Sequence, residues 1–273
     1  MKDSLTLAAV ALTFYAFYKI FLAPKSQKIY IVFLIIGLFV LKSIKIYIIL
    51  CLIPALLVYL FIEYNRKIKS RFLQLVLKPL LLMISIGFAY FAVNELTKNN
   101  SLYNIEKIAQ TARRTSDWIN YVSELQGGSS YTLGDYDATF SGIMAKAPAA
   151  VWVTLFRPYL WESKNIIMLF SAAESTFFLL LTIRAFLKLG ISGVIKAIRK
   201  NSYIQFSLFF CIPFAFGIGI STYNFGSLVR YKIPMMSFYI SSIYILINQT
   251  QKDVKPKTKI SQKSTLSNIE LHS

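Results

Sequence analysis

Residues 165–187 read NIIMLFSAAESTFFLLLTIRAFL, and this run decides the fold. About 20 apolar residues at about 1.5 Å each cross the hydrocarbon core of a bilayer, and they cross it as a helix because lipid offers the backbone no hydrogen-bond partner. Working outward, four more apolar runs precede it, at 5–23, 29–41, 46–62 and 73–93, and two follow, at 204–222 and 233–247. One long polar stretch, 96–164, separates the two groups and holds six of the twelve acidic residues. The expected fold class is all-α, a polytopic transmembrane helix bundle of about seven spans. Its one long extracytoplasmic loop is expected to contain amphipathic helices.

The first run starts directly after Met1-Lys2-Asp3-Ser4, with no basic leader and no small-residue cleavage site, so it reads as a retained span. The second run is short. With Lys42 and Lys45 snorkelling, the second and third runs can form a tight hairpin. One long bent helix is the alternative, and it would reverse the topology upstream.

Composition agrees with a membrane chain. Of 273 residues, 56% are hydrophobic and only 15% charged, whereas soluble domains carry about 25%. The net charge of +18 sits in short connections between apolar runs, which points to topology and anionic lipid and excludes nucleic acid as a partner. Cys51 and Cys211 both lie inside apolar runs, so neither a disulfide framework nor a metal site is expected. The single histidine, His272, is next to last, which removes histidine-based triads and zinc sites. No cofactor is expected.

Lysine and arginine set the orientation. One group of connections holds Lys25 and Lys28; Arg66, Lys67, Lys69 and Arg71; then Lys188, Lys196, Arg199 and Lys200, with five more lysines in the tail. The other side has Lys42, Lys45, Arg230 and Lys232 in its short loops. The positive-inside rule puts the rich group in the cytoplasm. The chain then divides into N-terminal transmembrane helices at 1–95, an extracytoplasmic loop at 96–164, C-terminal transmembrane helices at 165–247 and a basic cytoplasmic tail at 248–273. The tail is rich in Lys, Ser, Thr and Gln, and disorder is expected there.

Within the outer stretch, Ile105, Ile108, Ala112, Ile119, Val122 and Leu125 recur at helical steps, which predicts an amphipathic helix over about 104–126. Residues 127–130, Gly-Gly-Ser-Ser, end it. A second apolar segment, 141–156, stops at Arg157-Pro158 and reads as a helix at the outer membrane surface, anchored by Trp152, Tyr159 and Trp161.

Glu174 carries the strongest chemical signal. A carboxylate near mid-span costs about 2.5–3.5 kcal/mol to insert, so it must face protein, water or a cation, or be protonated. It reads as a substrate- or proton-handling group, or as the structural partner of an arginine. Arg157 and Glu162 flank a Pro-Tyr-Leu-Trp turn. An arginine fork there suits a pyrophosphate or sugar phosphate, and Tyr159 and Trp161 suit a sugar or an isoprenoid; the same residues also serve as interfacial anchors. Arg230 and Lys232, after a turn begun by Asn224 and Gly226, stand against the topological bias and read as a ligand for an anion, as a partner of Glu174 or as snorkelling residues. Asp135 and Asp137 could pair for base catalysis or for a divalent cation, although no further ligand spacing supports a metal. No metal site is expected. Gly-rich phosphate loops, nucleophile elbows and zinc motifs are absent from the sequence.

Two segments carry a resemblance. Residues 154–162, TLFRPYLWE, followed by Asn165 and Glu174, and residues 224–234, NFGSLVRYKIP, resemble poorly characterised multi-spanning inner-membrane proteins of bacterial surface-polysaccharide clusters. Those proteins are broadly similar to O-antigen polymerases and to polyprenyl-phosphate-sugar glycosyltransferases. The resemblance covers about half of the chain, its C-terminal part. It implies a multi-pass protein of the bacterial inner (plasma) membrane, with its C-terminus in the cytoplasm, that transfers or polymerises polyprenyl-pyrophosphate-linked glycan at the outer face. Arg157 and Arg230 would hold the pyrophosphate, and Glu174, Asp135 or Asp137 would act as base or orient the acceptor. Partners would be the polyprenyl-linked glycan, anionic lipid and other glycan-assembly proteins. The sequence departs from the embedded transferases in its first outer loop, 42–45, which has no acidic residue. A transporter or flippase-type component and a non-catalytic scaffold of a glycan-assembly complex are the alternatives.

Overall fold

The computed structural model describes residues 2–23, 27–67, 108–125, 129–134, 137 and 139–254. Among these residues the regular structure is helical: α1 Lys2–Phe21, α2 Ile29–Ile44, α3 Ile46–Lys67, α4 Ile108–Leu125, α5 Phe140–Ala145, α6 Ala147–Phe156, a 3-10 turn at Leu160–Glu162, α7 Ile166–Lys200, α8 Ser202–Ser221 and α9 Phe225–Val254. Four helices, α1, α3, α7 and α8, are long and apolar enough to cross a membrane. At 16 residues, α2 is shorter, and α9 mixes its apolar residues with Ser237, Ser241 and Ser242. The expected span at 73–93 lies outside the described residues, as do Asp135 and the tail beyond Val254.

Side-chain pairs fix how the helices run. Asp3 at the start of α1 bridges Lys45 at the end of α2 (2.6 Å), and Tyr15 packs on Tyr30, so α1 and α2 are antiparallel. Phe14 stacks on Tyr59, and the Tyr64 hydroxyl donates to the Phe21 carbonyl, so α3 runs parallel to α1. The chain therefore reverses at Lys45, whose backbone leaves the helical region (φ −148°, ψ 83°). This is the tight-hairpin form of residues 29–62, not the long bent helix. Tyr59–Phe206 and Tyr47–Phe214 set α8 antiparallel to α3, and Ser175–Lys232, Thr182–Tyr239 and Lys188–Ile247 set α9 parallel to α7.

Two ends result. One carries Asp3, Lys45, the N-termini of α7 and α9 and residues 129–134. The other carries Lys28, Arg66, Lys188, Lys196, Arg199 and Lys200, with the Arg66 guanidinium donating to the Lys200 carbonyl and to Ser202 Oγ. The charge asymmetry of the sequence thus becomes a basic end and an opposite end.

The core is aromatic. Phe14 packs against Tyr59, Tyr203, Phe206 and Phe238, and Phe210 and Phe214 continue the seam along α8. Small residues let backbones approach, as is usual where lipid supplies no hydrophobic drive between helices. A Cβ on Gly219 would overlap the Ala150 carbonyl at the α6–α8 crossing, and one on Gly37 would overlap Thr13. The segment at 141–156 breaks at Lys146 into α5 and α6. α6 buries Ala150, Val153 and Thr154 and leaves Trp152 exposed.

Two features extend beyond the apolar runs. α7 is interrupted at Gly190 (φ 64°, ψ 168°), a conformation essentially reserved for glycine, which separates the apolar arm from a basic arm ending at Lys200. α9 starts eight residues before its apolar run because Asn224 Oδ1 accepts from the Ser227 N–H (3.0 Å) and caps it. It continues to Val254, into the part expected to be a disordered tail, because each added residue of an existing helix gains a bond without a new nucleus.

Candidate functional site

The end opposite the basic loops is where the sequence-predicted residues gather. Residues 129–134 cross it as a strap. The Tyr131 N–H donates to the Tyr223 carbonyl (3.0 Å) and the Phe225 N–H to the Ser129 carbonyl (3.1 Å), pairing Ser130 with Asn224 across the α8–α9 turn. The buried Tyr131 hydroxyl donates to the Gly219 carbonyl (3.1 Å), and burial is the main cause that holds its phenol above the usual tyrosine range.

Arg157 sits under this strap. Its guanidinium is engaged by Glu162 as a fork on a carboxylate, with Nε 3.1 Å from Oε2 and Nη2 on Oε1. Glu162 Oε2 also accepts from the Tyr159 N–H (2.8 Å). The guanidinium carbon lies 5.0 Å from the Phe225 ring centre and 5.7 Å from those of Tyr131 and Tyr159. Arg157 follows a seam of aromatic rings and precedes a cis bond to Pro158. The fork expected to take a phosphate is thus occupied within the protein. Tyr159 stacks on Trp161 (4.8 Å, 24°) and accepts from Trp152 Nε1 (2.7 Å), while Trp161 is 81% exposed.

Arg230 is placed differently. Its side chain is exposed, with Nε donating to the Gly226 carbonyl (3.1 Å) and the two terminal nitrogens without a hydrogen-bond partner among the described residues. It lines a cleft of about 410 Å³ together with the polar residues Ser129, Asn165, Ser171 and Asn224 and the apolar residues Ile167, Met168 and Val229. The N-termini of α7 and α9 both border it; Asn165 and Asn224 cap the Met168 and Ser227 N–H groups and Ser129 takes that of Phe225, so the helix dipole and the other first-turn N–H groups are what favour an anion there. Phe225 lines the cleft and also carries the Arg157 guanidinium on its ring, while Arg157 is not among the residues that line the cleft.

Glu174 lies one turn below the cleft, on the α7 stripe Ile167–Ser171–Glu174. It is exposed, has no hydrogen bond or ion pair among the described residues, and feels the charge of Lys232. Among the described residues no arginine pairs with it. Lys232 is 1% exposed and donates to Ser175 Oγ (2.8 Å), which donates onward to the Arg157 carbonyl (3.1 Å). With Ser175 giving its hydrogen to a carbonyl and receiving one from the ammonium, this pair has the opposite polarity to a nucleophile activated by a neutral lysine. It is a tie between α9, α7 and the Arg157 turn.

Asp137 is exposed, beside the Gly142 backbone and outside the cleft lining. Asp135 lies outside the described residues, and among those described no group of three His, Cys, Asp or Glu side chains could hold a metal ion. Sequence reading places Lys232 at this end beside Arg230, but carries no reading of its burial, and none of Ser175 or Tyr131 as parts of the site. The signal for Lys232 was present: it occupies the buried stripe Phe225, Leu228, Lys232, Met235, Tyr239 of α9, where an apolar residue is expected. No protein-family model, curated protein or solved structure matches the chain.

Proposed function

We propose that this membrane protein handles a polyprenyl-pyrophosphate-linked glycan at the cleft between α7 and α9, on the outer face of a bacterial inner membrane. The observation that carries the reading is Arg230, which lines a cleft of mixed polar and apolar residues and whose terminal nitrogens have no hydrogen-bond partner among the described residues. A pyrophosphate would take the arginine fork and the two helix N-termini, and the first isoprene units would lie along Ile167, Met168 and Val229. Arg230 would stabilise the charge of a departing pyrophosphate if glycan is transferred there. Glu174, one turn deeper, is the carboxylate in position to receive a proton from, or orient, an acceptor hydroxyl. Arg157 would support the site through Phe225, and the stacked Tyr159 and Trp161 follow it on the same turn.

The Glu174–Lys232 neighbourhood favours a second reading, a transporter or flippase-type component, because charged groups inside spanning helices line ion and substrate paths. Purified protein in nanodiscs, given a polyprenyl-pyrophosphate-linked oligosaccharide, separates the two. Glycan transfer or extension that falls by about 10–100-fold in Arg230→Lys supports the first reading. Movement of the intact lipid-linked molecule between leaflets without transfer supports the second, and absence of binding overturns both.

A further inference from the structure

Outside the spanning helices, α4 presents two apolar faces. One packs toward α8, with Ser116 buried and Ile119 and Val122 half-buried. The other is bare: Trp118, Tyr121 and Leu125 are 66%, 56% and 69% exposed, and they follow one another at steps of three and four residues. Trp118 and Tyr121 lie against each other (6.2 Å between ring centres). Arg114, also exposed, continues the same stripe one turn before Trp118. Arg113 and Asp117, an i,i+4 ion pair (3.9 Å), lie on the polar flank between these two faces.

We infer that this bare stripe of α4 is a membrane-surface face, seated in the headgroup zone of the lipid leaflet at the cleft end of the bundle. Position argues for lipid as the occupant. Leu125 is four residues from Ser129, which the strap fastens to the α8–α9 turn, so the apolar end of α4 is held within about 14 Å of the end of the spanning helices. That end is where the bilayer stops. Chemistry argues the same way: Trp and Tyr with an adjacent Arg are the residues that settle at the boundary between headgroups and acyl chains. The stripe is graded, polar at Arg114 and apolar from Trp118 to Leu125, so the helix dips its C-terminal half and keeps its N-terminal half in the headgroups. The inference stands apart from the glycan reading and requires only that the bundle spans a bilayer.

The test uses the full chain in phosphatidylethanolamine/phosphatidylglycerol vesicles. The chain has three tryptophans, so Trp152→Phe with Trp161→Phe leaves Trp118 as reporter. The difference between wild type and Trp118→Phe gives the same emission without that background. Lipids brominated near the headgroup should quench Trp118 by about two-fold, with less effect from bromines near the chain end and little from aqueous iodide. Arg114→Glu should weaken the lipid quenching. Emission that iodide quenches freely and brominated lipid leaves unchanged overturns the proposal, as does strongest quenching from chain-end bromines.

Discussion

Arg157 and Arg230 look alike in the sequence and differ in the fold. Arg157 faces a carboxylate, three rings and its own turn, and both members of its ion pair are mostly shielded from solvent. Removing one partner leaves an uncompensated charge, so Arg157→Ala and Glu162→Ala should each destabilise by about 2–4 kcal/mol. The double variant should lose less than the sum, a coupling of about 1–3 kcal/mol by thermal unfolding in detergent. Arg230→Ala should leave stability within about 0.5 kcal/mol, since its side chain is exposed, yet abolish binding of polyprenyl pyrophosphate. Glu174→Gln should also fold at normal abundance, because no ion pair within 4.0 Å holds it among the described residues. It should abolish surface-glycan production, and normal glycan from that variant would remove Glu174 from the site.

Helices meet where small residues let them, and the glycines report this individually. Gly219→Ala places a methyl on the Ala150 carbonyl at the α6–α8 crossing and should lower stability by about 1–3 kcal/mol. Gly217, two residues earlier, has open space around a Cβ, so Gly217→Ala should be neutral or stabilise by up to about 1 kcal/mol through helix propensity. Equal effects at the two positions, measured by thermal unfolding, would contradict the close crossing. The same elements show how far the sequence could be read. The run at 165–187 became the apolar arm of α7, and the run at 204–222 became α8, because their lengths and compositions leave few other solutions in lipid. The choice at Lys45 stayed open because one non-helical residue serves a bend or a reversal, and only the contacts of α1 with both neighbours decide it. The strap was not legible at all: Tyr131 finds the Tyr223 and Gly219 carbonyls some ninety residues away through its N–H and its hydroxyl, and backbone acceptors carry no sequence signature.

The whole molecule sorts its charge by end. Lys28, Arg66, Lys196, Arg199 and Lys200 crowd one end, while the cleft, the strap and the Arg157 turn occupy the other. Part of the proposed site was legible for this reason: Arg230 stood out as a base on the sparse side. Lys232 stood out with it, but its burial did not, since that comes from three-dimensional packing with Ser175. If the positive-inside rule governs this chain, the cleft faces away from the cytoplasm, and the glycan reading depends on that. Single cysteines at Ser130 and at Lys196 mark the two ends, and the native Cys51 and Cys211 lie within α3 and α8. In intact spheroplasts, a membrane-impermeant maleimide should label the Ser130→Cys protein directly and the Lys196→Cys protein only after permeabilisation. Labelling of Lys196→Cys from outside with Ser130→Cys silent would reverse the orientation, and labelling of both from the same side would contradict a bundle that spans the membrane between them.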